Sequence, residues 1–221
     1  AEVDSAQQAV TEQISSAPAI LNPEILKNRT FTEAPMFAEM VGRDELPPVS
    51  ERLPENPLVV VPYSEIGQYG GDLRRALTGD IVQTPGVSKT LGENLMGFER
   101  PISKGILLNL AESYTYEDEG RSAVFTIRSG IKWSDGTPFT VDDILFWYQD
   151  MTLDDDARSG TAIPSSWYVN GKPIVAEKVD DLRIRFRGER PLGRILSTLS
   201  SDLVAMPKHY FAKFHPRYKP E

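Results

Sequence analysis

Residues 125–144 constrain the fold more than any other part of this chain, because each local conformation in them has a cause. Val124-Phe-Thr-Ile-Arg alternates apolar and polar side chains, the period of a half-buried strand. Ser134-Asp-Gly-Thr-Pro follows as a turn, with Gly136 at the position that needs unusual backbone angles. Thr140 is placed to cap a helix, with Asp143 closing a short capping box and Asp142 and Asp143 both in the first turn, where the helix dipole favours negative charge. Val141, Ile144, Leu145, Tyr148 and Met151 then recur at helical spacing, which predicts one face laid on a core. The run Asp154-Asp-Asp ends the helix. A strand, a tight turn and a capped amphipathic helix thus follow one another within one short span.

The flanking sequence extends this pattern. Glu117-Asp-Glu-Gly, with Gly120 able to take positive φ, predicts a hairpin from Ser113 to Arg128. Leu182, Ile184 and Phe186 alternate with Arg183, Arg185 and Arg187, which predicts a strand with one buried and one basic, wet face. Pro191 suits the first turn of a helix carrying Leu192, Ile195, Leu196 and Leu199, and Pro207 the start of another through Phe211 and Phe214. Upstream, residues 35–62 hold Pro35, Pro47, Pro48, Pro54, Pro57 and Pro62, so this stretch should be extended and irregular. A short helix at Met36 to Val41 and a strand at Leu58-Val-Val-Val are its expected regular elements. Tyr69-Gly-Gly-Asp-Leu-Arg-Arg-Ala-Leu opens the globular body, its glycines allowing a sharp entry into a strand. The resulting organisation is a polar tail over 1–34, with weak helical spacing at Val3, Ala6, Val10 and Ile14, then a proline-rich segment over 35–68, then a globular body over 69–221.

Composition narrows the function. The net charge of -8, with no basic run longer than Arg74-Arg75, argues against nucleic-acid binding, which needs a cationic face. The chain has no cysteine, which removes disulfides, thiolate nucleophiles and cysteine-based zinc sites. No apolar run approaches the roughly 18 residues of a membrane span. Ala1-Glu-Val-Asp-Ser has neither the basic end nor the apolar centre of an export signal, so an exported protein would be represented here by a mature or trimmed chain.

No constellation reads as a catalyst. His209 and His215 are spaced for neither a helical metal pair nor a zinc site, and are read as structural or surface groups. Asp154-Asp-Asp lacks the alternation and the distal glutamate of a calcium loop, so it reads as a solvated loop. Gly70-Gly71 is followed by no Lys-Ser/Thr, and no Gly-x-Ser-x-Gly elbow occurs. Trp133 and Trp147 are expected in or near the core. Trp167, in the loop-like Ile163-Pro-Ser-Ser-Trp-Tyr-Val-Asn-Gly, is either a ligand platform or a ring packed beneath the loop.

The same residues carry a family resemblance. Leu110-Ala-Glu-Ser resembles the "LAESW" of the extracellular solute-binding proteins, family 5, and residues 125–144 resemble its "F-x-LR-x-G-x-K-[FW]-x-DG-x-P-[FL]-TA-x-D". Tyr114 stands where that family usually has Trp, and Val141 where it commonly has Ala; both keep an apolar body. Val179-Asp-Asp-Leu-Arg-Ile-Arg-Phe is similar to a later "VDDYTVRF" strand, and Tyr69-Gly-Gly-Asp and Phe214-His-Pro-Arg-Tyr resemble larger members.

The resemblance implies an α/β fold, a periplasmic-binding-protein-like (type II) N-terminal lobe with a mixed β-sheet, flanking helices and the extra subdomain of the peptide receptors. It implies the second lobe lies outside this chain. The implied function is the substrate-binding component of an ABC importer, exported to the periplasm or membrane exterior, without catalysis or cofactor. Its partners would be a peptide or other small polar solute and the permease subunits. A sensory or chaperone-like adaptor on the same fold is the alternative. By position in the family, the loop Thr78, Gly79, Asp80 should face the inter-lobe cleft, with Asn94 to Gly97 as a second candidate; Trp167 joins the ligand-binding candidates only through its own loop-like setting.

Overall fold

The computed structural model describes residues 30–60, 65–72, 74, 76, 78, 79, 92–99, 103, 105–202 and 204–218. The chain forms two compact units, one of residues 1–92 with 98–105 and one of residues 93–97 with 106–221. Regular structure expected at Val3 to Ile14 lies outside the described residues.

In the first unit, α1 (Pro35–Gly42) begins on a proline, whose missing N–H falls where a helix has no internal acceptor. The helix expected at Met36 to Val41 is therefore present. The second helix, α2 (Val49–Arg52), follows Pro48, which offers no side-chain acceptor. Glu33 supplies one from a distance: its carboxylate accepts the Val49 N–H at 3.0 Å and pairs with Arg52. The Arg52 guanidinium also lies 5.6 Å over the Phe37 ring, tying the two helices together. Leu58 and Val59 are not in a strand and Val60 makes only a single bridge; Val61 lies outside the described residues. Pro57 at the start of this run has no N–H to give to a partner strand.

The second unit is built on a four-stranded sheet of β3 (Ala111–Glu117), β4 (Ser122–Ile127), β7 (Val175–Lys178) and β8 (Arg183–Arg187), in the order β3-β4-β8-β7 and antiparallel throughout. The earlier pair β1 (Met96–Phe98) and β2 (Ile106–Leu108), and the ribbon β5 (Tyr168–Val169) with β6 (Lys172–Pro173), complete the strands of the described residues. The β3–β4 hairpin pairs Tyr114 with Phe125 and Tyr116 with Ala123, as the turn chemistry predicts. Its turn takes positive φ at Asp118, Glu119 and Gly120. Period-2 alternation sends Ala123, Phe125, Ile127, Ile184 and Phe186 to one face, where all are buried. The arginines of β8 take the other face, though not as a bare basic surface: Arg183 pairs with Asp180, Arg185 with Glu117 and Arg187 with Glu177.

Helix α3 (Val141–Leu145) covers the buried face and has the expected start: the Thr140 hydroxyl accepts from Asp142 N, and Asp143 Oδ2 accepts the Thr140 N–H at 2.9 Å. From Phe146 to Thr152 the winding widens to a π-helix. Val141, Ile144 and Tyr148 face the sheet as expected, but Phe146 and Asp150 are buried as well. This second buried face differs from the single face expected, and its cause is tertiary: His215 and Tyr218 pack on Phe146, with ring centroids 6.1 and 5.9 Å away. Asp154 then caps α4 (Asp155–Arg158), accepting from the N–H groups of Asp156 and Ala157 at 3.1 Å.

The helix expected from Pro191 starts later, as α5 (Ile195–Ser201). Leu192 donates its N–H to Gly120 O at 2.7 Å, which ties this stretch to the hairpin turn and keeps it out of a helical ladder. Gly188 makes the close approach possible, since a Cβ there would stand 2.9 Å from Leu192 Cδ2. Pro207 does precede α6 (Lys208–Phe211), followed by a 3-10 turn to Phe214.

Candidate functional site

The residues singled out from the sequence fall in both units. Thr78 and Gly79 are exposed in a bend of the first unit, and Asp80 lies outside the described residues. Asn94 belongs to the second unit and is half-buried; its amide donates to Ser200 O at 2.6 Å, while its own carbonyl accepts from Asn109 Nδ2 at 3.0 Å. That side chain joins α5 to the segment before β1 and already has its partner. Trp167 is 0% exposed. Its indole N–H donates to Asp202 Oδ2 at 2.8 Å, and its ring packs on Trp147, Tyr148 and Phe186 at 5.3, 5.0 and 5.8 Å. The platform reading of Trp167 is thereby corrected in favour of packing: the 3-10 turn Ser165–Trp167 aims the ring inward, where its apolar area is worth more than on the surface.

The two histidines are structural groups of the kind expected. His209 Nε2 sits 2.6 Å from Asp135 Oδ2, and the buried His215 holds Nε2 3.0 Å from the Asp150 carbonyl. Asp135 also accepts the Thr137 N–H at 3.0 Å, and that bond first, then His209, lowers its carboxyl to about 2. Thr137 and His209 edge a depression of about 440 Å³ where the turn at Gly136, the start of α3 and the start of α6 meet. Asp143 is its pivot: besides closing the capping box it accepts the Trp133 indole N–H at 3.2 Å and the Lys208 N–H at 2.9 Å. Asp142 pairs with Lys178 at 2.7 Å. With its acids committed in this way, the depression is a joint between elements and offers no activated nucleophile.

A second cluster holds residues 215–218 to the π-helical stretch. The buried carboxylate of Asp150 pairs with Arg217 and accepts the Tyr218 hydroxyl at 2.5 Å. Loss of solvation, then this hydrogen bond to Asp150, raises the Tyr218 hydroxyl to about 12. Sequence reading had no signal for this cluster, because its members are more than sixty residues apart.

A further depression, of about 340 Å³, lies between Ser165, Ser166 and Tyr168 on one side and Arg190 and Arg194 on the other. The sequence offered no motif for it. Among the described residues no group of three or more His, Cys, Asp or Glu side chains is arranged to hold a metal ion. Nor is any helix among them long and apolar enough to cross a membrane.

Known proteins share this architecture. The oligopeptide-binding protein OppA superposes with a TM-score of 0.77 at 33% identity, over 91% of this chain and 32% of its own. The periplasmic binding protein MelB from Agrobacterium fabrum, in complex with stachyose, gives a TM-score of 0.73 at 25% identity, over 87% of this chain and 32% of its own. By sequence, the periplasmic alpha-galactoside-binding protein of Rhizobium meliloti is 26% identical over 86% of this chain and 30% of its own length. The chain thus spans about a third of the length of the relatives it matches. The model of the bacterial extracellular solute-binding proteins, family 5 (middle region), matches residues 106–220, which is nearly the whole of the sheet-bearing unit. With more than half of its length matched in this way, and with the α/β architecture of these binding proteins, the chain belongs to family 5 of the bacterial extracellular solute-binding proteins.

Proposed function

We propose that this chain serves in the substrate-binding component of an ABC importer, which captures a peptide or an oligosaccharide between two lobes and delivers it to a membrane permease. The observation that carries the reading is the coincidence of the family match over 106–220 with a whole folded unit, not a scattered motif. Both solute classes follow from relatives: one is described as oligopeptide-binding, others as alpha-galactoside-binding or in complex with stachyose.

The mechanism needs binding and movement, without covalent chemistry. Solute favours the closed lobes only by its differential affinity for that state, and driving the closed form from about 1% to 99% takes roughly 10⁴-fold preference. The closed form then docks on the permease by hinge motion. Thr78, Gly79 and Asp80 are the residues of this chain assigned to the cleft by their position in the family, and the exposed Thr78 and Gly79 offer a hydroxyl and a backbone suited to polar solutes. The protein is exported and works outside the cytoplasmic membrane, as its relatives named periplasmic do.

Thermal-shift screening tests this in the protein extended to the length of its relatives. An oligopeptide or an α-galactoside at 100 times its Kd should stabilise it by about 2.7 kcal/mol. The 221-residue chain, offering fewer of the cleft groups, should bind the same solute more weakly in calorimetry. No stabilisation by either class, or turnover of the solute into product, overturns the reading.

A further inference from the structure

Most cationic side chains of the second unit already have a partner. Arg183, Arg185, Arg187 and Arg217 pair with carboxylates, Lys172 holds Glu189 at 2.5 Å, and Lys178 holds Asp142 and Asp181 at 2.7 Å. Lys213 lies over the rings of Tyr210 and Phe214, and Lys208 over that of Tyr218. Arg190 and Arg194 differ: among the described residues neither side chain makes a hydrogen bond or salt bridge, Arg190 feeling only the charge of the adjoining Glu189, and both line the same depression of about 340 Å³. In a chain of net charge -8, two guanidinium groups left open toward one cavity are a local exception.

The rest of the lining is fitted to an anion with an apolar body. Ser165 and Ser166 border the cavity with hydroxyl donors, and Tyr168, 38% exposed, gives it an aromatic wall. Val169, Ile174 and Leu192 form the apolar floor. Glu189, which adjoins Arg190 in the chain and feels its charge, has its carboxylate hydrogen-bonded by Lys172 and Asn170. The walls are braced from behind: Leu192 N–H donates to Gly120 O at 2.7 Å, Ile174 N–H donates to Trp167 O at 2.9 Å, and Gly188 leaves no room for a side chain against Leu192. Little ordering is therefore needed when a ligand arrives.

We propose that this depression is a binding site for a carboxylate-bearing ligand, with the anion held by Arg190 and Arg194 and an apolar or aromatic body laid between Tyr168 and Leu192. Guanidinium forks match a carboxylate in geometry and stay charged at any physiological pH. The carboxylate belongs either to a free small acid or to an acidic side chain of a peptide. The inference rests on the second unit alone and stands apart from the transport reading.

The test is amide NMR of the 221-residue chain at fixed ionic strength, titrated with phenylacetate, with the uncharged phenylacetamide, and with a short peptide carrying glutamate on both sides of a phenylalanine. Phenylacetate should shift the amides of Ser166, Tyr168 and Gly193 saturably, and phenylacetamide should bind about tenfold more weakly or not at all. The double variant Arg190→Gln, Arg194→Gln should lose about tenfold or more in affinity at an unchanged melting temperature, since each removes a charge-assisted bond from an exposed position. Tyr168→Leu should weaken phenylacetate and leave acetate unaffected. Tighter saturation of the same amides by the peptide than by phenylacetate assigns the carboxylate to a peptide; the reverse assigns it to a free acid. Equal binding of acid and amide, wild-type affinity in the double variant, or shifts scattered over the surface overturn the proposal.

Discussion

Residues 30–60 and residues 106–218 are stabilised in opposite ways. The first stretch has no fully buried residue in either helix, and one carboxylate, Glu33, gathers the start of α2 and the Arg52 side chain. The second buries Phe125, Ile127, Tyr148, Trp167 and Phe186 almost completely against one sheet face. In the first, prolines decide where the backbone cannot pair and a few polar contacts do the rest; in the second, side-chain period decides what packs and polar groups refine it. The comparison teaches that local sequence signals are equally clear in both stretches, but only the second turns them into cooperative burial.

Substitutions can break or sharpen that contrast. The largest effect is expected from Trp167→Ala, which removes a fully buried ring and leaves Asp202 without its indole donor. It should destabilise the second unit by about 3–5 kcal/mol in urea unfolding, while the amides of residues 30–60 keep their chemical shifts. Asp143→Ala comes next, at about 2–3 kcal/mol, because it leaves Thr140 N, Trp133 Nε1 and Lys208 N without their acceptor. Asp150→Ala should cost about 1–2 kcal/mol, since Arg217 is half-exposed and can return to solvent. Hydrogen exchange should then rise first in residues 212–218. Glu33→Ala should cost about 0.5–1 kcal/mol and be felt only in residues 30–60, seen as faster exchange of the Val49 amide with no change in the melting of the sheet. If Glu33→Ala instead lowers the melting of the sheet, the two stretches are not the independent cases the contrast makes them.

The smallest effect is a pH dependence at Asp135. Its carboxyl is lowered from an ordinary 3.8 to about 2, by the Thr137 N–H first and His209 second. A depressed carboxyl stabilises the folded state above its unfolded value and loses that contribution as pH falls through the folded one. Asp135→Asn should therefore flatten the stability profile between about pH 4 and pH 2, as followed by urea unfolding across that range.

Much of the sheet-bearing unit was legible from sequence because its signals are local. Thr140 with Asp143, Gly120 and Gly136, and the alternation at Ile184 and Phe186 each report a conformation decided within a few residues. Local signals mislead or leave the choice open where a distant partner decides. Pro191 looks like a helix start, yet Gly120 claims the next N–H and the helix waits until Ile195. Trp167 looks like a loop aromatic, yet Trp147, Tyr148 and Asp202 draw it inward. Of the candidate site, Thr78, Gly79 and Asp80 were reachable only through family resemblance. Arg190 and Arg194 carry no motif at all and are recognised only by lining the same depression as Ser165, Ser166 and Tyr168.

The sequence by itself determined the hairpin, the two glycine turns, the capped helix and the family, since hydrogen bonds and side-chain period act over neighbouring residues. Only the tertiary structure decided that α3 and the π-helical stretch after it are together buried on two faces, that Asp150 and Tyr218 meet, and that Arg190 and Arg194 line one cavity. Those outcomes depend on which segments close upon each other across many tens of residues, and no local pattern encodes the partner.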